Sequence, residues 1–123
     1  LTFSSNVFLS KIRDFKFSCL ILRKTMILFK YLNHLYVIKL KLDKIKKSRL
    51  QVFKELRASG IGVNVHYIPI HLQPFFKSIS SIPQNFIEAE RYYSTAISLP
   101  LYPTMHYEDQ QNIVTCLRSV LLG

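Results

Sequence analysis

The stretch SRLQVFKELRASG, residues 48–60, marks both of its own ends. Ser48 and Gln51 stand at capping-box spacing, where the hydroxyl caps one free N–H and the glutamine side chain reaches back to another. Leu50, Phe53 and Leu56 share a helical face, and Gly60 falls where a left-handed C-terminal cap is wanted. A helix closed so sharply hands the chain straight to residues 61–68, IGVNVHYI, which alternate like a strand. Upstream, HLYVIKLKL at 34–42 is β-branched, aromatic and leucine-rich, and the polar DKIKK connects it to the helix. The grammar therefore predicts a strand–helix–strand unit. In 123 residues there is room for one small domain built around it.

The rest of the chain is punctuated in the same way. A Ser- and Pro-containing loop, KSISSIPQ, occupies 77–84, and NFIEAERYYSTA follows, with Asn85 and Glu88 spaced to cap a second helix. ISLPLYP at 97–103 predicts a short strand stopped by Pro100 and Pro103. YEDQQNIVTCLRSVLLG then predicts a closing helix with acids in its first turn and a buried stripe of Ile113, Leu117, Val120 and Leu121. Residues 1–33 have no sustained period and predict helix or irregular structure.

The net charge of +10 raises a nucleic-acid or anionic-surface reading. Its distribution is uneven. Residues 1–57 hold fourteen basic and three acidic residues, +11, whereas 58–123 hold three basic and four acidic, −1. In KLKLDKIKKSR, Lys39 and Lys41 alternate on one strand face and the others lie in a connection, so a solvated face accounts for the run better than phosphate contacts. No run of about 18 uninterrupted apolar residues is present, so a membrane-spanning helix is not expected. Cys19 and Cys116 match no metal or redox spacing, which fits a reducing compartment such as the cytoplasm.

Chemistry is sparse. With three glycines there is no phosphate-cradling loop, and neither a Cys/His metal spacing nor a G-x-S-x-G elbow occurs. Glu88 and Glu90, and Glu108 with Asp109, are explained by solvated faces and helix starts. His34 and His106 sit at element ends and carry no signal beyond that. His66 and His71 bracket a predicted strand end, where side chains commonly enter a cleft. The alternation puts Ile61, Val63, Val65 and Tyr67 on one face and Gly62, Asn64 and His66 on the other. Tyr67, Gln73, Phe75 and Phe76 are either pocket lining or core.

NHLYVIKL, RLQVFKELRASGIGVNVHYIPIHLQPFF, AERYYSTAISLPLYP and a last helix opening YEDQQ, in that order, resemble the C-terminal end of the DegT/StrS-type nucleotide-sugar aminotransferases. These are pyridoxal-phosphate enzymes, and VNVHYIPIHLQPFF is most similar to those of pseudaminic acid biosynthesis, which aminate C4 of a UDP-linked 4-keto-6-deoxy-N-acetyl sugar from glutamate. The resemblance implies an α+β fold over residues 33–123, the small C-terminal domain of a fold-type-I aminotransferase, with a small sheet and flanking helices. It implies that Asn64, Val65, His66 and Tyr67 contact the nucleotide sugar, and that the parent enzyme is a cytoplasmic homodimer with no nucleic-acid or membrane partner. The family holds pyridoxal phosphate on a lysine of a large N-terminal domain, and no lysine here lies in a matching motif. No cofactor is therefore expected for this chain alone, and it is expected to be inactive alone. Residues 1–32 are left unassigned, an apolar and basic segment of the kind a remnant or misread linking region would give. Where the family often has a Thr or Ser helix cap, this chain has His106. The other readings open at this point are a basic domain for nucleic acid or anionic surfaces and a non-enzymatic interaction domain.

Overall fold

The computed structural model describes residues 20–22 (backbone only), 36–79, 85–102 and 104–123. Strands β1 (Leu20–Leu22), β2 (Tyr36–Leu40) and β3 (Ala96–Leu99) form one antiparallel sheet in the order β1-β2-β3. Helices α1 (Arg49–Ala58), α2 (Pro74–Lys77), α3 (Ile87–Thr95) and α4 (Tyr107–Leu122) accompany it, with a 3-10 turn at Ile70–Leu72. The fold is α+β, a small sheet with flanking helices, as expected.

The register decides the two faces of the sheet. Tyr36 pairs with Leu99 and Ile38 with Ile97, so these four, with Leu40, point one way. They are buried in one core with Val52 and Leu56 of α1 and Ile113, Val114, Leu117, Val120 and Leu121 of α4. Val37 pairs with Ser98 and Lys39 with Ala96, so this second set points the other way. There α3 lies against β2, with the Lys39 ammonium 6.0 Å from the centre of the Tyr92 ring.

α1 starts and stops as its sequence dictates. Gln51 N–H donates to Ser48 Oγ at 3.3 Å, and Ser48 N–H donates to Gln51 Oε1 at 2.7 Å. Gly60 has φ +80°, the left-handed conformation that lets the chain turn back at once. Its buried face differs from the expected one: Val52 and Leu56 are fully buried, Phe53 is half-buried, and Leu50 is 57% exposed. The helix meets α4 and β3 along a narrow line one turn apart, and Leu50 lies off that line. In α4 all four residues of the expected stripe are buried. His106 is its N-cap residue, and Asp109 Oδ2 accepts from the His106 N–H at 3.1 Å.

Three further expectations need correction. Residues 61–68 do not form a strand; only Asn64 bridges to Ser98. In the antiparallel register set by that bridge Tyr67 would face Thr95, the last residue of α3, so the ladder has no partner to continue on. Asn85 does not cap α3, whose N-cap residue is Phe86 with no side-chain cap; Glu88 pairs instead with Arg91 at 3.1 Å. Leu20–Leu22 form a strand paired with β2, where helix or irregular structure was expected. His34, Cys19, Pro103 and residues 80–84 lie outside the described residues.

Candidate functional site

Ser98 organises a polar constellation on the second sheet face. It is 3% exposed, in a strand whose four residues are all buried. Its backbone N–H donates to Asn64 O at 2.8 Å, and its carbonyl accepts from Asn64 N–H at 2.9 Å. That closed pair of bonds puts Asn64 on the Ser98 side of the sheet, and His66, two residues on, returns to the same side. His66 Nδ1 lies 2.8 Å from Ser98 Oγ. Asn64 Oδ1 accepts from Val65 N–H at 2.9 Å, which leaves the amide nitrogen of its exposed side chain without a partner among the described residues.

The sequence-predicted residues are thus brought together in part. Asn64 and His66 share a face as the alternation requires. Val63 is buried behind them, Val65 is half-buried, and Tyr67 is 73% exposed rather than packed with Ile61 and Val63. The Tyr67 ring stands edge-on to His66, 4.7 Å between centres and 85° between planes. The peptide joining these two residues is cis. His71 lies elsewhere: its Nε2 is 2.9 Å from Glu90 Oε1, and its ring centre is 4.7 Å from that of Phe86. Phe75 is 70% exposed, while Gln73 and Phe76 are half-buried, so none of the three belongs to the core. Ser98 is the residue sequence reasoning missed. Its signal was a lone hydroxyl between Ile97 and Leu99, opposite in phase to both.

Much of the basic run is engaged locally. Lys47 Nζ donates to Glu55 Oε2 at 2.7 Å and to the Val120 carbonyl at 2.8 Å. Arg49 lies over the Tyr93 ring at 4.9 Å and Arg57 over Phe53 at 5.7 Å. Among the described residues no helix is long and apolar enough to cross a membrane, and no group of three or more His, Cys, Asp or Glu is placed to hold a metal ion.

The profile of the DegT/DnrJ/EryC1/StrS aminotransferase family matches residues 14–118, and the chain belongs to that family. It is 33% identical over 92 residues to the spore coat polysaccharide biosynthesis protein SpsC of Bacillus subtilis, covering 73% of this chain and 24% of SpsC. Two solved structures superpose on 72% of it. One is Helicobacter pylori PseC, an aminotransferase of pseudaminic acid biosynthesis (25% identity, 23% of that chain, TM-score 0.64). The other is the PLP form of the sugar aminotransferase Spr1654 of Streptococcus pneumoniae (26% identity, 22% of that chain, TM-score 0.62). The chain spans about a quarter of the length of the curated relatives it matches.

The described residues do not fit pyridoxal phosphate. A Schiff-base lysine needs an enclosed amine with phosphate donors beside it. None of the described lysines is buried; of the half-buried Lys39, Lys41 and Lys47, the first two lie at the end of β2, and Lys47 is committed to Glu55 and Val120.

Proposed function

We propose that this chain forms the substrate-facing wall of a pyridoxal-phosphate-dependent transaminase that aminates a UDP-linked 4-keto-6-deoxy-N-acetyl sugar from glutamate, for surface-glycan or pseudaminic acid biosynthesis. The observation that carries the reading is the pair of exposed Asn64 and half-buried His66, fastened side by side to Ser98 in a member of the sugar-aminotransferase family. Nucleotide sugars are dense in hydroxyl, carbonyl and phosphate oxygens, and side chains held on one rigid face match them. Asn64, Val65, His66 and Tyr67 line the wall, and residues 33–123, with β1 completing their sheet, present it. The similarity to PseC supports the choice of sugar, and the PLP form of Spr1654 supports the cofactor of the complete enzyme.

Pyridoxal phosphate supplies the electron sink for amino transfer when a complete site binds it. The described residues bind and orient the sugar and do not hold the cofactor, and the chain by itself is inactive. The working enzyme is a cytoplasmic homodimer. An amide-resolved NMR titration of the chain with the UDP-linked keto sugar tests the reading. Asn64, Val65, His66 and Tyr67 should shift while the α4 amides stay still. Shifts scattered over the basic loop, or none at the wall, would refute it. Borohydride treatment with pyridoxal phosphate should leave no stoichiometric lysine adduct.

A further inference from the structure

We infer that Ser98 is a positioning residue for His66: its buried hydroxyl donates to Nδ1, holds the neutral imidazole in the Nε2–H tautomer, and makes His66 and Asn64 a pair of outward hydrogen-bond donors. The inference rests on the reading of Asn64–Tyr67 as a sugar-binding wall and adds the polarity of that wall.

The argument is one of accounting for protons. Ser98 is 3% exposed, and among the described residues the polar side-chain atom at its hydroxyl is His66 Nδ1, 2.8 Å away. If Nδ1 carried the proton and donated, the serine O–H would be an enclosed donor with nowhere to go. If the serine donates, only lone pairs go unused. Enclosed donors are almost never left unpaired in folded proteins, whereas under-used acceptors are tolerated. The proton therefore lies between Oγ and Nδ1 and belongs to the serine. In a neutral ring the second nitrogen then carries the N–H. Among the described residues His66 Nε2 has no partner and is not one of the enclosed unpartnered atoms, so none of them closes it off.

Asn64 is polarised in the same sense. Its side-chain oxygen is occupied by the Val65 N–H at 2.9 Å, so what it offers outward is its NH2 group. Two neighbouring side chains that each have an acceptor and a donor have both engaged an acceptor within the protein. Such a face binds ligand groups that accept: phosphate, carbonyl and ether oxygens, or a hydroxyl oxygen through its lone pairs. It discriminates against groups that can only donate, because these would meet a donor at each position. The backbone bonds between Ser98 and Asn64 set the spacing of the pair, and the Ser98 hydroxyl sets its sign.

Imidazole 15N NMR on the intact chain tests this, with the pH raised until the ring shifts no longer change. His66 should show a pyrrole-type Nε2 and a pyridine-type Nδ1 shifted by an accepted hydrogen bond. Ser98→Ala should remove that hydrogen-bond shift and weaken binding of the UDP-linked sugar roughly tenfold, the loss expected for one net hydrogen bond. Ser98→Thr, which keeps a hydroxyl, should restore both. A simple fastening role would not fix the tautomer. A proton on Nδ1 in the unmodified chain, or identical ring shifts in a folded Ser98→Ala, overturns the inference whatever the sugar does. If Ser98→Ala does not fold, the tautomer of the unmodified chain and the ring shifts of Ser98→Thr decide the matter. A sugar that moves no wall amide while the Nε2–H tautomer stands removes the substrate reading and leaves the Ser98–His66 arrangement in place.

Discussion

The ammonium of Lys47 closes the last turn of α4 by donating to the Val120 carbonyl at 2.8 Å. The same group donates to Glu55 Oε2 at 2.7 Å, so a residue just before α1 ties that helix to the far end of the chain. The last four carbonyls of a helix have no partner within it, and they form the negative end of its dipole. A cation placed there satisfies an acceptor and meets favourable charge. Lys47 belongs to the run that charge counting reads as a solvated face, and here it is an internal tie.

Replacing Lys47 by Ala should therefore lower stability by about 1.5–3 kcal/mol, the range for a hydrogen bond to a charged group. The urea midpoint should fall with an unchanged slope, because the surface exposed on unfolding is nearly the same. Glu55→Gln should cost less, on the order of 1 kcal/mol or below, since the glutamate is partly exposed and the lysine keeps Val120. Equal costs for the two substitutions would mean that the Val120 contact contributes nothing.

Gly60 and Gly62 should behave oppositely on replacement by alanine. A Cβ at either position meets nothing within 4 Å, so sterics do not separate them. Backbone conformation does: Gly60 alone has positive φ, +80°. Gly60→Ala should destabilise by roughly 1–2 kcal/mol. Gly62→Ala should be neutral or stabilise by up to about 1 kcal/mol through the unfolded chain. Thermal melts of the two variants, run side by side, check the sign.

What was legible in the sequence follows the reach of the interactions. The Ser48–Gln51 box, the Gly60 turn and the α4 stripe are each specified by residues a few positions apart, and all three stand as expected. The buried line of α1 was not legible, because the choice between Leu50 and Val52 is made by α4 and β3, remote in sequence. Alternation in 61–68 correctly placed Asn64 and His66 together but could not show that β3 is too short to pair with the whole stretch. Glu88 and Glu90 have surface partners that no capping rule foresees: Arg91 and His71. The contact that orders the candidate site joins His66 to Ser98, 32 residues away, and local pattern has no access to it.

Burial should make stability fall steeply in alkali through Tyr36. The residue is 4% exposed, and burial pushes its phenol from 10.0 up to about 12. The folded state thus holds the proton more tightly than the unfolded chain. This contribution is fully present below pH 10.0 and is lost as pH rises towards about 12. Unfolding midpoints measured from pH 9 upward should diverge between the native chain and Tyr36→Phe, with the phenylalanine variant falling less. Parallel curves would show that ionisation of this phenol is not coupled to folding. Lysine titration in the same range is common to both proteins and cancels in the comparison.

His71 should control local opening of residues 69–77 without controlling global stability. Neither the Ile70–Leu72 turn nor α2 contains a buried residue, so apolar burial anchors this segment weakly. The imidazole is the anchor, held by Glu90 at 2.9 Å and lying against the Phe86 ring at 4.7 Å. The amides of Leu72, Gln73 and Lys77 bond to Pro69, Ile70 and Gln73 carbonyls within the segment, so their exchange reports its opening. Opening free energy in such a unit is set by its own few contacts rather than by the core. His71→Ala should accelerate exchange at these three amides by roughly two- to fivefold, as expected for a pair worth about 0.5–1 kcal/mol. Amides in α1 and α4 should keep their rates. Uniform acceleration across the molecule would instead make His71 part of the global fold, and no acceleration at Leu72 would show that the Glu90 contact does not hold the turn.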